Sequence, residues 1–126
     1  MESKSYKIIK EHISSFPEPI TLRKGDKVFV GREYSKNPDW PNWIECKTQN
    51  GKKGWVPKQY LKLQGNSAIA LCDYSANELN VKIGDEIFIH KCENGWAWSA
   101  NSGGEFGWVP LNNIKITKPL EQTACR

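Results

Sequence analysis

The chain contains the same short motif twice, and this repetition constrains its architecture more than any other feature. Residues 54–57 read Gly-Trp-Val-Pro, and the same four residues return at 107–110. The segment at 20–30 likewise returns at 79–89, and one tryptophan stands at the same distance before each motif. Self-similarity of this kind indicates two copies of one small structural unit. It favours recognition over catalysis, because a second binding surface adds contacts whereas a second active site is rarely needed.

The length agrees with two small domains. The 126 residues divide into copies of roughly 60 residues each, below the usual size of a single domain. Domains of that size bury only a limited core. Six tryptophans are many for so short a chain, and large aromatic side chains can compensate for a small core.

Charge is unevenly distributed along the chain. The net charge is +4, but residues 1–65 hold 13 Lys and Arg against 7 Asp and Glu, whereas residues 66–126 hold 5 against 7. Such asymmetry indicates an acidic partner for the first half, attraction between the halves, or a lysine-rich surface that only contacts solvent. We favour the last interpretation, because surface lysines commonly serve solubility.

The cysteines and the apolar segments exclude several protein classes. Four cysteines show no CxxC pair and no regular spacing, so we expect no disulfide framework, no zinc site and no cofactor. No apolar run is long enough for a signal peptide or a membrane span. We therefore expect a soluble cytoplasmic protein with reduced thiols.

Strand signals dominate the pattern. Segments 27–31 and 86–90 alternate polar with β-branched and aromatic residues, which predicts that Val28 faces inward and Phe29 outward. Asn50-Gly51 is a strong hairpin signal, and proline ends the strand after each Gly-Trp-Val sequence. Five short strands per copy predict a small closed β-barrel. Residues 64–67 are interpreted as a short linker that holds two packed barrels at a fixed angle.

Several motifs, taken in order, resemble the Src-homology-3 (SH3) family. The second copy opens with Ala70-Leu71-Cys72-Asp73-Tyr74, which is similar to the family's Ala-Leu-Tyr-Asp-Tyr. It continues with Glu78-Leu79, Gly84-Asp85, Gly95-Trp96 and Gly107-Trp108-Val109-Pro110. The first copy matches best in its closing half, at Asn42-Trp43, Gly54-Trp55-Val56-Pro57 and Tyr60, while its opening has Lys10 and His12 in place of the two tyrosines.

The resemblance implies an all-β fold with two tandem, five-stranded SH3-like barrels. We place the first barrel at residues 1–64, the second at 65–118 and a poorly ordered tail at 119–126. It also implies a non-enzymatic adaptor or targeting protein that binds an extended or proline-rich peptide. Such peptides form a rigid polyproline helix before binding, so they lose little entropy in an aromatic groove.

The family's groove positions map onto nine residues. The first groove would contain His12, Trp43, Trp55, Pro57 and Tyr60, and the second Tyr74, Trp96, Trp108 and Pro110. The second groove is weakened by Cys72 and Asn113, which stand where the family has tyrosines. The four tryptophans among these residues could instead serve packing.

Two alternative functions stay open. Neither copy has the acidic cluster that pairs with basic proline-rich peptides. Nucleic-acid or polyanion binding by the basic first barrel is the second-ranked hypothesis, supported by a patch of Lys52, Lys53 and Lys58 beside Trp55 and Tyr60. Cell-wall glycan binding, as in bacterial SH3-like domains, is the third.

Overall fold

The computed structural model of the protein describes residues 5–14 and 18–116, and the regular secondary structure in this part of the chain is β-strand apart from two short 3-10 helices. The predicted all-β class is confirmed. The strands in chain order are β1 Ser5–Lys7, β2 Thr21–Leu22, β3 Lys27–Glu33, β4 Trp43–Lys47, β5 Lys53–Pro57, β6 Leu61–Gln64, β7 Ser67–Ala70, β8 Tyr74–Ser75, β9 Glu86–Glu93, β10 Trp96–Asn101 and β11 Phe106–Pro110. The tail predicted at 119–126 lies outside the described residues.

The strands form two compact units that do not coincide with the two sequence repeats. One unit, here the contiguous unit, consists of residues 18–76. The other, here the split unit, combines residues 5–14 with residues 77–116. The opening segment of each repeat therefore completes the unit built from the rest of the other repeat. This differs from the division into 1–64 and 65–118 that the repeats predict.

The contiguous unit contains a five-stranded sheet and a small two-stranded one. The order of the larger sheet is β5-β4-β3-β7-β6, and β2 pairs with β8. Strand β7 lies inside the sheet, where Ala68 is the register partner of both Val28 and Leu63. The core of this unit includes Ile20, Leu22, Val28, Val56 and Ala68. Residues 67–75, which open the second repeat in sequence, thus supply a central strand to the first unit.

The predicted linker at residues 64–67 is a hairpin turn. Gln64 and Ser67 are register partners at the closed end of β6 and β7, and Gly65 has a φ of 63°. Glycine accepts this left-handed backbone without steric cost, which allows a two-residue turn between antiparallel strands. The chain therefore folds back into the same sheet here, and the linker interpretation is wrong.

The split unit is closed by the first residues of the chain. Its four-stranded sheet has the order β1-β9-β10-β11, with Tyr6 opposite Ile87. Further along, Ile8 bridges to Ile114 and His12 bridges to Val81. The buried cluster at its centre consists of Ile8, Leu79, Val81, Ile87, Ile89, Cys92, Ala97, Val109 and Ile114. Ile8 is only 1% exposed, so the first residues of the chain supply a core side chain to this unit.

Local features predicted from the repeat are present in both units. Val28 is fully buried and Phe29 is exposed, as the alternation predicts. Strands β5 and β11 end at Pro57 and Pro110, and each proline is followed by a 3-10 helix, Lys58–Tyr60 or Leu111–Asn113. These helices were not predicted, because a three-residue turn is too short to show helical periodicity.

The cysteines differ from expectation at one position. Cys46 and Cys72 are free thiols, but Cys92 is disulfide-bonded. The expectation of reduced thiols is therefore wrong for Cys92. Spacing along the sequence does not reveal such a bond, because pairing depends on which cysteines the fold brings within about 6 Å.

Candidate functional site

The aromatic positions of the two predicted grooves are redistributed between the units. Tyr74, predicted for the second groove, lies in the contiguous unit with the residues of the first. Its ring meets that of Tyr60 edge to face at 5.4 Å between centroids, and its hydroxyl donates a 2.8 Å hydrogen bond to the carbonyl oxygen of Trp55. Trp43 and Pro57 are register partners in the same unit. The contiguous unit therefore holds the opening tyrosine that the first repeat itself lacks.

These redistributed rings are packed rather than open. Trp43, Tyr60 and Tyr74 are each 6% exposed, and Pro57 is also buried. The mapping predicted them as groove-lining residues, but in the structure they are core residues of the contiguous unit. Large aromatics at such positions contribute burial to a domain too small to build a wide aliphatic core.

The half-buried rings of the contiguous unit form a separate cluster around Trp55. Tyr34 lies edge to face against Trp55 at 5.3 Å and contacts Trp40 at 5.9 Å. The guanidinium of Arg32 lies 5.8 Å from the centre of the Trp55 ring. Tyr34 was not among the predicted site residues, because no repeat counterpart or motif marks it in the sequence.

The split unit places His12, predicted for the first groove, against Trp96 of the second. The two rings meet edge to face at 5.4 Å. Nε2 of His12 lies 2.8 Å from Oε1 of Glu78, and the two side chains are 16% and 14% exposed. Backbone hydrogen bonds in both directions join His12 to Val81 and hold the ring in place. The sequence shows Glu78 as the sole acid of its loop, but its partner stands 66 positions away.

The other residues predicted for the groove of the split unit differ in how far they are buried. Trp96 is half-buried and is the register partner of Pro110. Trp108 is only 3% exposed, and its backbone bonds to Asn77 and Leu79 on the adjoining segment. The side-chain amide of Asn113 donates to the carbonyl oxygen of Glu11. Trp96 is therefore more accessible than Trp108 and Asn113, which are both buried.

Comparison with known families identifies the chain. The model of the family described as variant SH3 domain matches residues 5–64 and again residues 68–117. The chain belongs to the variant SH3 domain family. The two matches follow the sequence repeats, so each variant SH3 domain in sequence contributes its opening segment to the compact unit of the other. No curated protein and no solved structure matches the chain.

Membership defines the general class of function. SH3 domains are modules that bind peptides and proteins, and the family is not catalytic. Among residues 5–14 and 18–116, no group of three or more His, Cys, Asp and Glu side chains could hold a metal ion. Within the same ranges, no helix has the length and apolar character needed to cross a bilayer.

The two free thiols are expected to differ strongly in reactivity. Burial, with a smaller contribution from the carboxylate of Glu45, raises the pKa of Cys46 to about 12. Almost no thiolate exists there at pH 8, and the thiolate is the reactive form. Cys72 is half-buried. We expect iodoacetamide at pH 8 to alkylate Cys72 and spare Cys46 until the protein is denatured, as measured by peptide mass spectrometry. Equal labelling of both cysteines in the native protein would contradict this.

Proposed function

We propose that the protein is an adaptor that binds an extended, proline-containing peptide at the Trp96 surface of the split unit. The observation that carries the proposal is the half-buried Trp96 ring, held edge to face by His12, whose own position is set by Glu78. A ring held by a neighbouring side chain that is itself fixed offers a pre-organised surface, so the protein loses little side-chain entropy when a ligand binds.

The chemistry of this surface suits a proline next to a basic residue. The half-buried Trp96 ring presents an apolar surface on which a proline ring can pack, whereas its register partner Pro110 is buried. The carboxylate of Glu78 pairs with His12, which contacts Trp96, and adds negative charge that favours a lysine or arginine in the ligand. The contiguous unit is the weaker candidate, because Trp43, Tyr60 and Tyr74 are too buried to contact a peptide directly.

Replacing Trp96 tests this function. We expect Trp96→Ala to weaken binding of a proline-rich peptide by about 2 kcal/mol or more, which is roughly 30-fold, because a central tryptophan contributes at that scale. The measurement is a titration of amide and indole chemical shifts, with peptides first selected from a proline-rich library on the intact protein.

Trp98→Ala is the matched control, since Trp98 stands two residues further on the same strand and is also half-buried. It should bind the selected peptides within a factor of a few of the unaltered protein. Glu78→Gln should reduce the preference for peptides that contain lysine or arginine. If no peptide shifts resonances near Trp96, or if both tryptophan variants lose binding equally, the proposed surface is wrong.

A further inference from the structure

The outer face of the five-stranded sheet carries four lysines around an exposed ring. Register pairing places Lys53, Lys47 and Phe29 side by side across β5, β4 and β3. A second row runs from Lys27 through Ile69 to Lys62 across β3, β7 and β6. Residues between the rows, such as Val28 and Ala68, are fully buried, so both rows point away from the core. We call this surface the lysine face; its members are Lys27, Phe29, Lys47, Lys53, Lys62 and Ile69.

The lysine face is accessible and its charge is not neutralised. All four lysines are exposed, and Phe29 is 47% exposed. No acidic residue stands in either row, and within the described part of the chain no ion pair involves these four lysines. The nearest acids along the same strands already have partners: Glu45 faces Arg32, and Glu33 faces Lys58. Neighbouring strands are about 4.8 Å apart, so five strands spread the charges over roughly 20 Å.

The fold itself does not require these charges. At the equivalent positions of the split unit, Phe106, Ala100 and Phe88 occupy one row across β11, β10 and β9. Glu86, the counterpart of Lys27, is paired with Lys7 instead of standing next to an unpaired cation. The two units share a repeated sequence and a strand register, yet lysines occupy the positions of Lys27, Lys47 and Lys53 only in the contiguous unit. A specific ligand for the contiguous unit would explain the difference.

We propose that the lysine face binds single-stranded nucleic acid. Lysine ammonium groups pair with successive phosphates, and an exposed ring in the middle of a sheet can stack on one unpaired base. Paired bases in a duplex are already stacked and do not reach such a ring. A membrane surface is disfavoured, because Phe29 lies on the central strand of the sheet and not at a protruding loop tip that could enter lipid.

The structure also changes which residues carry the basic aromatic patch expected from the sequence. Lys58 is held by Glu33 at 3.2 Å, and Tyr60 is nearly inaccessible. Lys53 remains, but its neighbours on the surface are Lys47 and Phe29, which stand on other strands. Strand pairing thus gathers charges that lie far apart in sequence into a single surface.

The test is fluorescence anisotropy of the full chain with a labelled twelve-nucleotide oligothymidine, measured from 25 to 200 mM salt. We expect log affinity to fall with log salt at a slope of about −3 for four lysines, since each neutralised phosphate contributes about −0.7 on a single strand. Lys47→Gln with Lys53→Gln should reduce that slope by roughly half. Phe29→Ala should weaken binding by roughly 5- to 100-fold through loss of stacking.

Phe106→Ala is the matched control, because Phe106 is exposed to a similar extent, 43%, and stands in the row of the split unit that corresponds to the row of Phe29. It should bind the oligonucleotide as the unaltered protein does, and circular dichroism should show that every variant is folded. The proposal is overturned if affinity does not depend on salt, if Phe29→Ala binds normally, or if a duplex or phosphatidylserine vesicles compete as well as single strands do. Trp96→Ala, which tests peptide binding, should leave this affinity unchanged.

Discussion

A chain cut to residues 1–64 is expected to remain unfolded, whereas one cut to residues 18–76 is expected to fold cooperatively. The first fragment is the complete first repeat, but it lacks β7, which pairs with both β3 and β6. It also lacks Tyr74, whose ring packs against Tyr60. Small domains have a net stability of only about 5–15 kcal/mol, so a fragment without an interior strand has no margin to remain folded.

The two fragments can be compared by circular dichroism and urea denaturation. The circular-dichroism signal of residues 18–76 should show a single sigmoidal transition with urea. That of residues 1–64 should change gradually, without a folded-state baseline. Adding a peptide of residues 67–76 to the 1–64 fragment should restore a transition, because it supplies the missing strands in trans. A cooperative transition for residues 1–64 alone, with residues 18–76 unstructured, would show that each repeat folds by itself.

Gly107→Ala is expected to destabilise the protein by about 3 kcal/mol or more, because an added methyl group has no space. A Cβ at this position would lie 2.7 Å from the backbone nitrogen of Leu79 and 2.9 Å from the carbonyl carbon of Glu78. Backbone atoms cannot rotate out of the way, so the segment 77–79 must separate from β11. Alanine also lowers the conformational entropy of the unfolded chain, but this effect stabilises the protein by at most about 1 kcal/mol.

The other copy of the motif supplies a graded control. A Cβ at Gly54 would meet side-chain atoms of Ile20 at 2.6 and 3.0 Å, so part of the strain can be relieved by repacking. We expect Gly54→Ala to lower the free energy of unfolding by less, about 1–3 kcal/mol, as measured by thermal or urea denaturation. Gly103→Ala, where the nearest atom is 3.4 Å away, should change stability by less than about 1 kcal/mol. If Gly107→Ala and Gly103→Ala lowered the free energy of unfolding equally, the close approach of the 77–79 backbone to Gly107 would be contradicted.

Much of the local structure is readable from single segments. The alternation around Val28 and Phe29, the turn at Asn50-Gly51 and the strand ends at Pro57 and Pro110 all agree with expectation. These features depend on neighbours a few residues away, where side-chain size and backbone freedom act directly. The repeated motifs likewise sufficed to identify the family, which the comparison confirms over both copies.

The candidate sites were less predictable. His12 and Tyr74 were each assigned to the groove of their own repeat, but His12 contacts Trp96 and Tyr74 contacts Tyr60. In the sequence, Glu78 stands out only as part of the Glu78-Leu79 motif. In each case the partner lies on the other repeat, and a local motif contains no information about which of two similar sheets a strand will join.

The sequence alone therefore determines that this protein is a duplicated β-structure of the variant SH3 family, because strand alternation, turns and the Gly-Trp-Val-Pro motif are local. Only the tertiary structure decides which opening segment closes which unit, and with it the surroundings of each aromatic residue. The repeats are similar enough that either opening segment carries a suitable apolar pattern for either sheet. The pairing is decided by long-range packing: Ile8 fills the core of the split unit, and Ala68 and Tyr74 fill that of the contiguous one.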